Sequence, residues 1–148
     1  MLKGIDPILG PDLLSVLRAM GHGDELCIAD ANFPAAAKAR RLVRADGISA
    51  TRLLMAIVGV MPLDDFVPAA AFRMAVADKP DEIPPITTEF AAILARSGYA
   101  GQIEPLERFA FYERAAQCFA IVASAEERIY ANLILKKGVV RPASAEPR

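Results

Sequence analysis

The chain has no tryptophan, a single histidine and only two cysteines. One imidazole without Cys-x-x-Cys spacing cannot complete a multi-ligand zinc set, so neither cysteine is read as catalytic or metal-binding. Cys27 and Cys118 lie in the apolar runs Leu26-Cys27-Ile28-Ala29 and Gln117-Cys118-Phe119-Ala120, as buried free thiols do, and no disulfide between them is expected. An excess of one charge is also missing: 17 Lys and Arg face 18 Asp and Glu. No positive field therefore draws the chain onto phosphate backbones, and nucleic acid is not an expected partner. The longest apolar run, Leu53 to Met61, stops at Pro62, about half of the roughly 20 residues a membrane span requires. A soluble protein with no membrane partner is expected. The amino terminus, Met1-Leu2-Lys3-Gly4-Ile5-Asp6-Pro7, shows neither an apolar h-region nor a small-residue cleavage site, so a cytoplasmic location is expected. No serine stands in Gly-x-Ser-x-Gly, which disfavours an α/β-hydrolase triad.

What is present is apolar bulk. The 148 residues suit one compact domain, expected over residues 1–140 with a polar, mobile tail at 141–148. Hydrophobic residues make up 54%, and mean hydropathy is +0.30. A small domain has too much surface to hide that much apolar side chain, so part of it is expected between subunits of an oligomer.

Apolar periodicity predicts helices over 11–21, from a Ser49 cap to Pro62, over 88–97 and over 107–117. Strands are predicted at 25–30, 71–77, 102–104, 119–123 and 132–136, with a short extended piece at 42–44. The stretch 31–47 is left open between a helical turn and a loop. The short connection around Glu126-Glu127-Arg128 suits a hairpin between the last two strands. Alternating strands and helices argue an α/β domain whose mixed sheet is covered by helices. Gly21-His22-Gly23 follows a helix and precedes a strand, the wrong order for a phosphate-cradling loop.

His22 is the only side chain whose unperturbed pKa lets it both give and take a proton near neutrality, and its flanking glycines permit close approach. The alternative is a surface or capping histidine. Asp30 closes an apolar strand, where α/β sheets bind ligands, or it is a turn residue ahead of Pro34. Tyr130 and Asn132 share a face at period two and offer a hydroxyl and an amide to a polyol, or serve cross-strand packing. Arg108 and Tyr112 share a helix face, with Phe111 and Ala115 on another. Arg108 is a donor fork for a pocket, or a solvated partner of Glu104 or Glu113.

Taken together, Met20-Gly21-His22-Gly23-Asp24-Glu25, Asp30-Ala31-Asn32-Phe33-Pro34, Arg44-Ala45-Asp46-Gly47, Arg108-Phe109-Ala110-Phe111-Tyr112-Glu113-Arg114-Ala115 and Tyr130-Ala131-Asn132-Leu133-Ile134-Leu135-Lys136-Lys137-Gly138-Val139 resemble the L-fucose mutarotase family, sister of D-ribose pyranase. The resemblance runs in order from about residue 2 to 140. The ribose branch has a histidine near the Arg108 segment that this chain lacks. The resemblance implies a family-specific α/β fold assembled into rings, often decamers, with each sugar site completed by a neighbouring subunit. It implies His22 as catalytic acid/base, with Asp30, Arg108, Tyr130 and Asn132 binding a monosaccharide and Ala131 contributing backbone contacts. Asp30 would orient the imidazole or hold a sugar hydroxyl, and Phe33, Phe109 or Tyr112 would cover the apolar sugar face. Anomer exchange of this kind needs no metal or cofactor. The rivals are a noncatalytic sugar-binding ring, a pyranase acting on ribose or a related sugar, and a structural assembly protein.

Overall fold

The computed structural model describes residues 1–142, so most of the expected tail lies outside the described residues. Five helices and six strands alternate: α1 (Pro11–Ala19), β1 (Glu25–Ala29), α2 (Ala35–Lys38), β2 (Leu42–Ala45), α3 (Ala50–Val58), β3 (Ala71–Met74), α4 (Pro85–Arg96), β4 (Ile103–Leu106), α5 (Arg108–Gln117), β5 (Ala120–Ser124) and β6 (Leu133–Lys136). The open stretch resolves into the short helix α2 followed by β2.

Local chemistry explains where the helices begin. Pro11 and Pro85 occupy first-turn positions, where the missing N–H would have had no helical partner. Pro85 therefore starts α4 three residues before the predicted Thr88. Ser49 caps α3 by accepting from the Arg52 N–H, and the Glu107 carboxylate accepts from the Phe109 and Ala110 N–H groups to cap α5.

The strands form one sheet in the order β2-β5-β1-β6-β3-β4. All neighbours run parallel except β6, which is antiparallel to β1 and β3. The expected hairpin is overturned: β5 and β6 do not pair, because β1 lies between them and takes both as partners. The reason lies in burial. Leu26 to Ala29 are fully buried, and a strand covered on both faces belongs at the centre of the sheet.

Alternate side chains of β1 feed two cores. Leu26 and Ile28 join Leu13, Leu53, Leu54, Phe90 and Leu133 under α1, α3 and α4. Cys27 and Ala29 join Phe33, Phe72, Phe111 and Ile134 under α2 and α5. Full burial of an apolar side chain of this size contributes about 1.5–3 kcal/mol. Both cysteines are free and buried. Among the described residues no helix is long and apolar enough to cross a membrane.

Candidate functional site

β1, β3 and β4 end at one edge of the sheet and β6 begins there, so residues distant in sequence meet in a cavity of about 240 Å³. It is lined by Asp30, Asn32, Phe33, Met74, Arg108, Tyr112, Ile129, Tyr130 and Asn132. Six of the residues named from sequence are thus brought together there.

Asp30 is the first residue past β1 and Asn132 the last before β6. The Asp30 N–H donates to Asn132 Oδ1 at 2.8 Å, and Asn132 Nδ2 donates to Asp30 Oδ2 at 2.8 Å. The Asn32 N–H donates to Asp30 Oδ1 at 2.9 Å. Asp30 and Asn132 are 5% and 3% exposed; Asp30 makes the expected turn ahead of Pro34 through its bond to the Asn32 N–H, and it also lines the cavity. Burial raises the Asp30 carboxyl above its ordinary range, opposed by hydrogen bonds from the Asn32 N–H, the Asn132 amide and the Phe33 and Ala131 backbones. Ala131 is fully buried and serves the carboxylate through its backbone.

Tyr130 does not extend β6 at period two. Its φ of +60° is the left-handed region, which costs a bulky residue about 1–2 kcal/mol. Its hydroxyl oxygen accepts from the Ala77 N–H at 3.2 Å, in a turn whose Asp78 is also left-handed at φ +61°. Because that oxygen already accepts a backbone proton, its own O–H is free to donate to a ligand.

α5 supplies the opposite wall. Its Phe111 and Ala115 are buried, so Arg108 and Tyr112 face the cavity, as their four-residue spacing predicts. The Arg108 guanidinium stacks 4.7 Å over the Phe109 ring rather than engaging Glu104 or Glu113. Phe33 packs at 5.3 Å from Tyr112 and 6.1 Å from Phe111, so it covers the cavity floor with a fixed ring. Phe109 is placed differently from expectation. It is 61% exposed and does not line the cavity, since its position in α5 turns it to the surface beside Arg108.

His22 lies at the other edge of the sheet. It precedes β1 while Asp30 follows it, and five strand residues rising about 3.3 Å each separate the two by on the order of 20 Å. Asp30 therefore does not orient the imidazole within one chain. Asp64 does: its Oδ1 stands 3.1 Å from His22 Nε2. Asp64 is 3% exposed, and the Phe66 N–H, followed by His22 itself, holds its carboxyl below the usual carboxylate range. An ionised carboxylate only accepts, so Nε2 carries the hydrogen and Nδ1 is left free to exchange protons. The ring rests 5.4 Å from Phe66, itself 66% exposed.

Sequence reading missed Asp64, Asn32, Met74 and Ile129. The acidic pair Asp64-Asp65 just after Pro62-Leu63 was the available signal for the first; the others depend on chain crossings that spacing does not encode. Among the described residues four other cavities are larger, and two of them touch residues of interest. One of about 490 Å³ adjoins the His22 end: it is lined by Asp64, and by Asp65 and Arg141, which pair with each other at 2.8 Å. The other, about 520 Å³ beside Val76, Pro85 and Ile129, is mainly apolar. Among the described residues no three His, Cys, Asp or Glu side chains converge to hold a metal ion.

Comparison with known proteins agrees with the fold. The model of the RbsD / FucU transport protein family matches residues 3–140. A fucose mutarotase of Danio rerio is 45% identical over 150 residues, spanning 96% of each chain. The crystal structure of the fucose mutarotase from Streptococcus pneumoniae, in complex with L-fucose, superimposes with a TM-score of 0.87 at 43% identity, covering 95% of this chain and 100% of that one. Bacillus subtilis RbsD complexed with D-ribose shares the fold, with a TM-score of 0.73 at 23% identity over 95% of this chain and 100% of that one.

Proposed function

Because the chain belongs to the RbsD / FucU transport protein family, we propose that it is a cytoplasmic L-fucose mutarotase, an isomerase interconverting the α and β anomers of the sugar within a ring of identical subunits. The observation that carries this reading is the reciprocal Asp30–Asn132 pair, facing a cavity of about 240 Å³ together with Arg108 and Tyr130.

The polar groups suit a sugar. Asp30 keeps acceptor capacity beyond its bonds to Asn32 and Asn132, Tyr130 has a proton to donate, and Arg108 brings unpaired donors at the rim. A 6-deoxy sugar also presents a methyl group, and Phe33, Met74 and Ile129 give it apolar wall.

Anomer exchange requires the anomeric hydroxyl to lose its proton while the C1–O5 bond breaks and O5 gains one. The open aldehyde turns about C1–C2 and recloses on its other face. The C1–O5 bond opens and re-forms with no net gain or loss of electrons, so the step calls for no redox cofactor. His22 Nδ1 takes the anomeric proton and returns it to O5 as the ring opens, with Nε2–H anchored on Asp64 so that the imidazolium is stabilised as it forms. Since His22 lies an edge away from its own cavity, the imidazole that serves Asp30 belongs to a neighbouring subunit. A heterologous head-to-tail contact whose rotation closes makes a ring, and a decamer built from such rings is the assembly this reading expects. The exposed apolar side chains near the two edges, Phe66 and Val140 at one and Ile129 and Phe109 at the other, suit such a contact. Positioned acid–base catalysis supplies about 10²–10⁴-fold, enough for a reaction already measurable in water.

Saturation-transfer NMR on equilibrated L-fucose, D-ribose, D-galactose and L-rhamnose tests this. Faster exchange between the anomeric signals of L-fucose is expected. Acceleration of ribose alone would move the protein to the pyranase branch, and acceleration of none would leave a binding or structural ring.

A further inference from the structure

His22 and Asp64 are carried on two separate loops, and both are fastened to the residues that end β6. The Asp64 N–H donates to Lys136 O at 3.0 Å and the Gly138 N–H to Pro62 O at 2.8 Å. Gly138 is required for that approach, because a Cβ there would lie 2.4 Å from Leu63 O. On the other side, the Gly23 N–H donates to Lys137 O at 2.9 Å and the Lys137 N–H to Asp24 O at 2.8 Å. The Lys137 side chain then turns back to α1, where Nζ donates to Leu17 O at 2.8 Å and Met20 O at 2.6 Å.

One residue thereby grips both ends of the segment Met20–Asp24: its ammonium at the helix exit, its peptide at Gly23 and Asp24. Between these grips His22 is flanked by glycines, and Gly23 is left-handed at φ +86°. Such a backbone has wide freedom unless its ends are held. The carbonyls at the end of α1 carry the negative end of the helix dipole and lack helical partners, which makes a cation the fitting clamp.

We propose that Lys137 is a positioning residue for His22: its half-buried ammonium fixes where the chain leaves α1 and so sets the imidazole against Asp64. This rests on the reading of His22 as the proton-transfer group.

The chain's single histidine makes the test clean, because one imidazole gives one pair of ring nitrogen signals. Lys137→Met keeps an apolar stem and removes the donors, whereas Lys137→Arg keeps a cation. In the folded wild type, at a pH where the ring is neutral, the nitrogen shifts are expected to report the Nε2–H tautomer. In Lys137→Met the tautomers are expected to mix, and kcat for anomer exchange to fall about 10–100-fold with KM little changed; Lys137→Arg recovers part of both. A folded Lys137→Met protein with the wild-type tautomer and wild-type kcat overturns the proposal. Should Lys137→Met fail to fold, Lys137→Gln, which leaves one amide donor, is read in the same way. If the wild type accelerates no sugar, the functional reading fails, while the imidazole signals still decide whether Lys137 sets the ring.

Discussion

Asp30 and Asn132 stand 102 residues apart in sequence and hold each other by two hydrogen bonds, backbone to amide oxygen and amide nitrogen to carboxylate. The exchange fixes which way the Asn132 amide points and ties the end of β1 to the start of β6. Asn132→Ala is expected to cost about 1–3 kcal/mol, because it takes one partner from a buried carboxylate and leaves the buried Asp30 N–H without its acceptor. Urea unfolding checks that cost, and titration calorimetry with L-fucose should show lost affinity.

Two carboxyls give opposite pH signatures. Burial raises the folded-state pKa of Asp30 above 3.8. Its contribution to stability is therefore fully present below that value and lost as pH rises through the folded pKa. For Glu25, burial acts upward, but its ion pairs with Arg114 and Lys136 outweigh it and the pKa falls below 4.5. Its contribution is present above that value and lost as pH falls through the folded pKa. Urea midpoints across the acid range should show the wild-type advantage over Glu25→Gln shrinking on acidification. For Asp30→Asn the pH-dependent part of the difference should run the other way. Parallel trends for the two variants contradict the assignment.

His22→Ala is expected to lose about 10²–10⁴-fold in anomer exchange while retaining much of its sugar affinity. Asp64→Asn keeps the shape but no longer offers a carboxylate to Nε2–H, so a smaller loss in kcat is expected. Saturation-transfer rates and calorimetric affinities separate the two effects; an Asp64→Asn protein as fast as wild type would remove Asp64 from the mechanism.

Burial pushes the Cys118 thiol up to about 12 and that of Cys27 well above its ordinary value. Neither forms the reactive thiolate near neutrality. Labelling with a chromogenic disulfide reagent should be slow in the native protein and complete for both thiols in denaturant. Rapid native labelling would contradict the packing around α5.

Much of the fold was legible because local patterns determine it. Leu13, Leu17, Leu53, Leu54 and Ile57 are apolar at helical spacing and all are buried, and the Arg108–Tyr112 spacing places both at the cavity. Strand order was not legible. Nothing in the short connection between β5 and β6 announces that β1 will occupy the space between them; only burial on both faces decides it. Tyr130 lines the same cavity as Asn132, but not through the period-two strand spacing expected of it, since its left-handed backbone depends on the Ala77 turn that receives its hydroxyl. The partner of His22 was hidden for the same reason: Asp64 reaches it across 42 residues, guided by the end of β6 rather than by any local spacing.

Two inactive chains placed in one ring test the shared site most directly. His22→Ala supplies an intact Asp30 cavity without an imidazole, and Asp30→Asn supplies an imidazole without an intact cavity. If neighbours complete each site, co-expression restores both halves to roughly a quarter of sites by random mixing. Anomer exchange of L-fucose should then recover to about that fraction of the wild-type rate. Rings shown by native mass spectrometry to contain both chains, yet as inactive as either parent, would contradict a site shared between subunits.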